Sequence, residues 1–263
     1  TTFSDVQPNS EVGQAVSNLV NRGIISGYQD GTYRPNQPIT RAQAAKILSG
    51  VLQLDTTTAQ ATFTDVPASY EHYRAIAALA EKKILNGYPD GTFKPNQPIT
   101  RAQMAKILTN AFELSSVFET LPFTDVFVQS ESFRYINALY SYAITTGTSA
   151  STYSPGNRVT RGQLAVFITR AENTEKQTLL LTMQDEGYIN IANWSINSDV
   201  IHVVASGNKL HLLPRKTGTG QLLVSGISTV QQTDYTLYRV EVKNVNGQLQ
   251  LTAEKSNLIE GLT

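Results

Sequence analysis

The feature that most constrains this chain is a segment of 22 residues that occurs three times, at an interval of about 60 residues. Residues 27–48 read GYQDGTYRPNQPITRAQAAKIL, and residues 87–108 read GYPDGTFKPNQPITRAQMAKIL. A weaker third copy, GTSASTYSPGNRVTRGQLAVFI, covers residues 147–168. A fixed period of this length is typical of a supersecondary unit that is used repeatedly. The N-terminal two thirds of the chain should therefore be built from three equivalent units.

Each copy contains a Thr-x-x-Gln pattern that predicts the start of a helix. In such a capping box, the threonine hydroxyl and the glutamine amide bond backbone N–H groups at the first turn. Apolar residues then recur at helical spacing, which predicts that a helix follows each box. The three boxes are Thr40/Gln43, Thr100/Gln103 and Thr160/Gln163.

An arginine occupies the first helical position in every copy, as Arg41, Arg101 and Arg161. The helix dipole disfavours a positive charge at that position. An external carboxylate or phosphate would be attracted by the guanidinium, by free N–H groups and by the dipole together. The alternative is that each arginine braces a carboxylate of the protein. The repeated candidates for this second role are Asp5, Asp65 and Asp125. Three occurrences at an unfavourable position favour the anionic ligand, and the brace remains open.

The composition excludes several classes of protein. Lys+Arg and Asp+Glu balance at 21 each, so no bulk charge draws the chain to nucleic acid or to an anionic membrane. The absence of cysteine excludes disulfides, thiolate zinc sites and a cysteine nucleophile. No apolar run approaches the roughly 20 residues that a transmembrane helix needs. We therefore predict no nucleic-acid partner and no membrane span.

Each repeat opens with Phe-Ser/Thr-Asp-Val and continues as an amphipathic helix, a loop and the capped second helix. One repeat cannot bury its apolar stripes alone, whereas three repeats can share a core. We therefore predict one compact three-part unit, with repeats at residues 1–60, 61–120 and 121–175.

The loop of each repeat is rich in turn residues, including Asp30-Gly31 and Asp90-Gly91 in the first two copies. The Asp-Gly-Thr string also suggests calcium, but the closing glutamate of an EF-hand is absent, so a turn is favoured and no metal is predicted. Tyr28 and Tyr88 follow the glycines at the loop mouth, where a ring face could meet a sugar. This role and a structural one remain equally open. The third copy has Thr148 at this position.

After Glu172 the pattern changes from helical to alternating. We predict a β-sandwich over residues 176–255 and a tail over residues 256–263. Gly207-Asn208 and Asn246-Gly247 are hairpin signals. The predicted strands cover residues 178–182, 188–191, 200–205, 209–213, 221–225, 236–242 and 248–253.

Trp194-Ser195, the Gly207 turn, residues 216–218 and the strand over residues 238–242 resemble bacterial immunoglobulin-like (group 2) domains. We interpret Trp194 as a core residue. His202 and His211 could lie on neighbouring strands, but two histidines without a third ligand make a metal site the less favoured alternative.

The N-terminal motifs carry a second resemblance, to the surface-layer homology (SLH) domain in three tandem copies. The Phe-x-Asp-Val opening, the Gly-Tyr-x-Asp-Gly-Thr loop and the Ile-Thr-Arg-Ala-Gln helix start occur in that order, over residues 1 to about 172. The resemblance implies a fold class: an all-α pseudo-threefold helical bundle of three SLH repeats, followed here by an all-β immunoglobulin-like sandwich.

The resemblance also implies a function for the N-terminal part. It implies an extracellular protein, anchored non-covalently to the bacterial wall through grooves between repeats. The implied partners are a pyruvylated secondary cell-wall polysaccharide linked to peptidoglycan and neighbouring S-layer subunits. In the family, the motif's arginine faces the ketal carboxylate. The implied polysaccharide-binding residues are Arg41, Arg101, Arg161, Gly27, Tyr28, Gly87, Tyr88, Gln43 and Gln103.

This chain departs from the family pattern in three places. Glu11, Glu71 and Glu131 replace a tryptophan of the first helix, and glutamine replaces the motif's glutamate. The third repeat has Gly162 for alanine and lacks the loop tyrosine. We therefore expect the grooves that use Arg41 and Arg101 to bind in preference to the groove that uses Arg161.

No catalytic motif is present: there is no Gly-x-Ser-x-Gly elbow, no His-Glu-x-x-His and no phosphate loop. We therefore predict neither an enzyme nor a cofactor within this segment. Two alternatives to a surface-layer anchor remain open, namely the targeting module of a cell-surface enzyme and a protein-interaction scaffold for S-layer assembly.

Overall fold

The computed structural model describes residues 2–116, 118–177, 179–183, 187–206, 208–245 and 248–256. The chain divides into two compact units, Thr1–Glu172 and Asn173–Thr263. Some predictions lie outside the described residues: the turn at Gly207, the turn at Asn246-Gly247, and the tail from residue 257 onwards.

Two helices per repeat are found in the described part of the chain. They are α1 (Glu11–Asn21), α2 (Arg41–Val51), α3 (Tyr73–Glu81), α4 (Arg101–Ala111), α5 (Phe133–Ser141) and α6 (Arg161–Gln177). The capping boxes predicted for α2 and α4 are confirmed, because Thr40 and Thr100 exchange both hydrogen bonds with Gln43 and Gln103. Across the repeat boundaries, α2 packs against α3 and α4 packs against α5.

The segments that precede α2, α4 and α6 form a closed ring of backbone hydrogen bonds. The N–H of Ile39 donates to the carbonyl oxygen of Val159 at 2.9 Å, and the N–H of Val159 donates to the carbonyl oxygen of Ile99 at 2.8 Å. The N–H of Ile99 donates to the carbonyl oxygen of Ile39 at 3.1 Å and so closes the ring. All three side chains are buried. Since each bond joins two different repeats, the ring ties the three repeats into one unit.

The C-terminal unit consists of antiparallel strands in two sheets. The strands are β1 (Leu179–Thr182), β2 (Tyr188–Ile196), β3 (Ile201–Ser206), β4 (Lys209–Pro214), β5 (Gly218–Ser228), β6 (Thr233–Val245) and β7 (Gln248–Ser256). One sheet has the order β1-β4-β3 and the other the order β2-β5-β6-β7. Buried residues from both sheets, among them Val203, Leu212 and Val240, form one hydrophobic cluster. Trp194 packs against this cluster while partly buried.

The predicted fold class, an all-α pseudo-threefold helical bundle followed by an all-β immunoglobulin-like sandwich, is wrong. The described chain is mixed α/β, with six short helices and seven strands in two antiparallel sheets. The repeats are not an all-α bundle, because extended loop segments close the ring between them. Helical periodicity does not show these segments, whose backbone polar groups need partners once they are buried. The paired sheets do not by themselves identify an immunoglobulin-like domain, because one architecture serves many families.

A repeated aspartate holds each loop to the opening segment of its own repeat. The Asp5 carboxylate accepts backbone N–H bonds from Tyr33 and Arg34, both at 2.8 Å. Asp65 does the same with Phe93 and Lys94, also at 2.8 Å. The hydrogen bond from Tyr33 is the main reason why the pKa of Asp5 lies below its usual value. In the turn, the Thr32 hydroxyl lowers the pKa of Asp30 to about 2.

These depressed pKa values predict acid destabilisation of the repeat unit. A carboxylate whose pKa is lower in the folded state stabilises the fold above its unfolded pKa, and this contribution is lost as the pH falls through the folded pKa. The thermal midpoint should therefore stay level from pH 7 to about pH 5 and fall between about pH 4 and pH 2. Circular dichroism melts at fixed ionic strength measure this.

The Asp30→Asn variant is the control for the acid melts. It keeps an oxygen acceptor for Thr32 but has no carboxyl group to protonate, so it should lose less stability between pH 4 and pH 2. A thermal midpoint of the parent protein that does not change across that interval would contradict the prediction.

Candidate functional site

The arginines at the helix starts reach into the loop of another repeat. The Nε of Arg41 donates to the carbonyl oxygen of Phe93 at 2.8 Å, and its Nη2 donates to that of Asn86 at 2.7 Å. The residue is only 4% exposed. The alternative of a direct carboxylate brace is therefore wrong, because Asp65 bonds the backbone of Phe93 and Lys94 instead.

Arg161 repeats this arrangement on the loop of the first repeat. Its Nε donates to the carbonyl oxygen of Tyr33 at 3.0 Å, and its Nη2 donates to that of Ser26 at 3.2 Å. Arg101 makes only the first of the two bonds, from Nε to the carbonyl oxygen of Tyr153 at 2.7 Å. Its Nη2 is buried without a hydrogen-bond partner in the described structure. The loop that it meets follows a different path, with Gly147 at φ +90°.

None of the three guanidinium groups contacts a carboxylate directly, although Asp65 and Asp125 act on Arg41 and Arg101 from a longer distance. The ion pairs formed between described residues involve none of them. Desolvation by burial lowers the pKa of Arg41 and of Arg101. Arginine nevertheless remains protonated in proteins at neutral pH. Each repeat boundary therefore holds a mostly buried positive charge whose contacts are dipoles and not anions.

The expected free N–H groups at the helix starts are not free, and that part of the anion argument is wrong. The backbone N–H of Arg41 donates to the carbonyl oxygen of Gln97 at 2.9 Å, and that of Ala42 donates to Pro95 at 3.0 Å. The third N–H of this turn, that of Gln43, donates to the Thr40 hydroxyl. Helices α4 and α6 are closed in the same way by loops of the next repeat. An anion at these sites would therefore meet the side-chain cation and not a helix terminus.

Two cavities lie beside two of the arginines. Groove 1, of about 290 Å³, is lined by residues 23–28, Gln43, Lys46, Ile47, Glu71, His72 and Arg161. Groove 2, of about 150 Å³, is lined by Arg41, residues 84–88, Gln103, Lys106 and Ile107. In both grooves a Gly-Tyr pair from one repeat faces an arginine that belongs to another repeat.

Of the residues proposed from sequence, all except Arg101 line one of these grooves. The expected ranking placed the groove of Arg161 last because the third repeat has Gly162 and lacks the loop tyrosine, but in the structure each arginine lies beside the loop of another repeat. Arg161 closes the ring onto the first repeat and lies beside Tyr28, whereas Arg101 meets the third loop, which has Thr148. The groove that was ranked last is thus one of the two that contain a tyrosine.

Cations contact the rings of both groove tyrosines. The Cζ of Arg161 lies 5.2 Å from the Tyr28 ring centroid, and that of Arg34 lies 3.8 Å away. Tyr88 has the Cζ of Arg41 at 4.9 Å and the Nζ of Lys94 at 4.2 Å. Such contacts are favourable because the ring face carries negative charge density. The rings therefore help to position the arginines, and a sugar that stacks on Tyr28 from the side of Arg34 has to displace it.

Sequence reasoning did not propose four charged or titratable groove residues as ligand contacts: Lys46, Lys106, Glu71 and His72. The two lysines carried a readable signal, because they occupy the same position in the first two copies, where the third copy has Val166. Glu71 and His72 precede α3, outside the repeated loop-and-helix segment, so only the folded arrangement brings them to groove 1.

None of the helices in the described ranges is long and apolar enough to cross a membrane. Across these same residues, no three histidine, cysteine, aspartate or glutamate side chains come together as a metal site. His202 and His211 lie on the adjacent strands β3 and β4, where burial lowers the pKa of both imidazoles.

The sequence matches a known family three times. The profile of the S-layer homology domain matches residues 2–45, 62–105 and 122–165. Similar proteins include the surface-layer 125 kDa protein of Lysinibacillus sphaericus, which is 34% identical over 62% of this chain and 14% of that protein. A cellulosome-anchoring protein of Acetivibrio thermocellus is 30% identical over 63% of this chain and 39% of that protein. A protein of Bacillus anthracis named as an uncharacterized cell wall amidase is 30% identical over 76% of this chain and 37% of that protein. The chain thus spans well under half the length of each of these relatives.

Proposed function

The chain belongs to the S-layer homology domain family and is an extracellular protein of the cell wall and surface layer, and on that premise we propose that its repeats anchor the protein non-covalently to the wall. The ligand that we propose is a secondary cell-wall polysaccharide that carries pyruvate ketals and is linked to peptidoglycan. A relative named as a cellulosome-anchoring protein supports the anchoring role.

The observation that carries this proposal is an arginine at the wall of each groove that forms no ion pair among the described residues. In Arg41 and Arg161, Nε and Nη2 bond backbone carbonyls, whereas Nη1 has no hydrogen-bond partner among the described residues. A ketal carboxylate is a fixed anion on a sugar and could accept from this nitrogen. One such charged hydrogen bond is worth about 1.5–3 kcal/mol. Strong attachment would then arise from several weak grooves on one polymer, through effective concentration.

The other proposed contacts surround this nitrogen. Gly27 and Gly87 let the loop pass close to Phe3 and Phe63, because a Cβ at these positions would lie 2.1 Å and 2.3 Å, respectively, from Cε1 of those rings. Tyr28 and Tyr88 position the arginines. Gln43 and Gln103 each use Oε1 for the helix cap. The amide nitrogen of Gln43 remains as a donor, whereas that of Gln103 already donates to the Tyr88 hydroxyl at 3.4 Å and has one further N–H. Arg101 remains a proposed contact with one buried, unpartnered nitrogen. The repeat boundaries at residues 60, 120 and 175 and the module boundary at residue 255 also remain proposals.

The test is binding of the protein to purified wall polysaccharide before and after chemical removal of pyruvate. Loss of the carboxylate should weaken binding at least about tenfold, the equivalent of one charged hydrogen bond. Arg161→Gln should show a comparable loss toward the intact polymer while the protein remains folded. Lys82→Gln, which changes an exposed lysine outside both grooves, is the matched control. Undiminished binding to the depyruvylated polymer would count against the proposal.

A second candidate is the targeting module of a larger cell-surface enzyme. The observation in its favour is the relative named as a cell wall amidase. Both candidates use the same grooves and differ in what the anchored protein does. The coding sequence on both sides of this segment distinguishes them, since the second requires a catalytic domain in the same polypeptide.

A further inference from the structure

The two grooves differ in how their lysine is partnered. Lys46 lines groove 1, and Lys106 occupies the equivalent position on α4 in groove 2. The Nζ of Lys106 donates to the Oε1 of Glu131 at 2.7 Å. This contact is also the main reason why the pKa of Glu131 is lowered. Lys46 forms no ion pair within the described ranges. The ammonium group of Lys46 in groove 1 is therefore uncommitted, that is, outside any ion pair among the described residues, whereas that of Lys106 in groove 2 is paired with Glu131.

The acids that distinguish the grooves occupy one repeated position. Glu11, Glu71 and Glu131 precede the first-helix stripe of each repeat at an interval of 60 residues. Glu131 pairs with Lys106, and Glu11 pairs with Arg170 at 2.7 Å. Glu71 lines groove 1 without entering an ion pair among the described residues. Five charged or titratable side chains thus line groove 1. They are Lys46 from α2, Arg161 from α6, Glu71 and His72 from the segment before α3, and Tyr28 from the loop.

Groove 1 is also the larger cavity, at about 290 Å³ against about 150 Å³. The third repeat boundary has the weakest set of groups for an anion. It combines Arg101 with Thr148 in place of tyrosine and with Val166 in place of lysine, and Val166 is buried. The number of cationic side chains outside ion pairs therefore decreases in order. Groove 1 has Arg161 and Lys46, groove 2 has Arg41 and a lysine that is paired, and the third boundary has Arg101 alone.

We propose that groove 1 is the principal binding site of this chain and that Lys46 is a specificity-determining contact in it, binding the acidic glycan together with Arg161. In groove 2, Glu131 competes with the glycan for Lys106. This inference rests on the proposed function, because it takes the acidic wall glycan as the ligand. It reverses the order expected from sequence, in which the groove of Arg161 came last.

The two grooves should differ in affinity because the two lysine ammonium groups lose different contacts when they bind the glycan. Lys46 exchanges water for a glycan oxygen without breaking an ion pair, although Glu71 lines the same groove. Lys106 must first leave Glu131, or bind with that negative charge beside it. Both side chains of the pair are substantially exposed, at 43% and 73%, and pairs of this kind are weak. The Lys106–Glu131 ion pair should therefore lower the glycan affinity of groove 2 by a factor of about two to five.

The experiment is an NMR titration with a short pyruvylated oligosaccharide released from the wall polysaccharide, which is too short to bridge two grooves. The backbone amides of Gly27 and Gly87 report on groove 1 and groove 2. In the parent protein, Gly27 should saturate at the lower concentration. Lys46→Gln should weaken binding at Gly27 about tenfold, and Lys46→Arg should restore most of it.

Two substitutions in groove 2 complete the design. Lys106→Gln should weaken binding at Gly87 by no more than about threefold, because the lysine contributes less there. Glu131→Gln should strengthen it by about two- to fivefold, because it releases Lys106. Titrations at several salt concentrations distinguish a charge contact of Lys46 with the glycan from a purely structural role. If Lys46 acts through its charge, Lys46→Gln should also reduce the salt dependence of binding at Gly27.

The failures can be told apart. If the acidic oligosaccharide perturbs neither amide in the parent protein, the proposed function and this inference both fall. If Gly27 responds but Lys46→Gln binds as the parent does, or if Gly87 saturates first, this inference is overturned and the anchoring proposal stands. Thermal melts of each variant show whether a loss of binding reflects unfolding.

Discussion

Replacing Arg41 with alanine is expected to lower the free energy of unfolding of the repeat unit by about 3 kcal/mol. The substitution removes two charged hydrogen bonds, of 2.8 Å to Phe93 and 2.7 Å to Asn86. Each lost bond leaves a carbonyl oxygen of another repeat without its donor, at a cost of about 1–3 kcal/mol when the oxygen is buried. Release of a desolvated charge offsets part of this loss. Urea denaturation followed by far-ultraviolet circular dichroism measures the change.

The other two arginines provide the internal comparison. Arg161 is half-buried and its bonds are longer, at 3.0 and 3.2 Å, so Arg161→Ala should cost about 1–2 kcal/mol. Arg101 makes one bond and buries an unpartnered nitrogen, so its removal also relieves an unfavourable burial, and the cost should again be about 1–2 kcal/mol. Equal losses at all three positions would show that these bonds do not set the stability of the ring. The comparison also favours Arg161 for binding tests, since it lines a groove and its loss disturbs the fold less than the loss of Arg41, the other groove arginine.

Gly87→Ala is the second substitution with a large expected effect, a loss of about 2–4 kcal/mol in the free energy of unfolding. A Cβ at this position would lie 2.3 Å from Cε1 of Phe63 and 2.7 Å from the carbonyl oxygen of Thr92. Phe63 packs on the ring of Phe93 at 5.3 Å, and the Thr92 carbonyl accepts from the N–H of Tyr88 at 2.7 Å. The added methyl group therefore displaces the partly buried Phe63 ring and breaks the hydrogen bond that positions the groove tyrosine. Chemical denaturation measures the loss, and the Tyr88 resonances report the change in groove 2.

Gly91→Ala in the same loop is the control for this clash. Its φ is +81°, but the nearest atom to an added Cβ is the Thr64 methyl group at 3.8 Å. Only backbone strain acts there, which costs about 1–2 kcal/mol. A loss at Gly91 as large as that at Gly87 would mean that backbone conformation, and not the close approach of Phe63, is what requires glycine in this loop.

Local patterns predicted the local structure of the repeats well. The capping boxes at Thr40 and Thr100 form as expected. The fold class that the resemblance implied was wrong, because neither the motifs nor the helical stripes indicate the extended segments that join the repeats. The hydrogen-bonded ring through Ile39, Ile99 and Val159 leaves no periodic signal, since it uses main-chain atoms that every residue has.

The partners of the arginines could not be predicted in the same way. Arg161 meets the first repeat, 128 residues earlier in the sequence, because the chain closes into a ring and does not continue as a line. A motif that occurs three times in a sequence is equally compatible with a closed ring of repeats and with a linear array. The uncommitted state of Lys46 and the pairing of Lys106 with Glu131 likewise depend on distances between elements that are far apart in the sequence.

The sequence by itself determined the repeat, the helix starts, the apolar stripes and the family, because these depend on the order and spacing of residues along the chain. Tertiary structure alone decided which repeat each arginine contacts, that the helix-start N–H groups are already bonded, and which lysine is left without an acid. The physical reason is that hydrogen bonds and ion pairs act over about 3 Å in space. Only closure of the ring sets those distances between residues of different repeats.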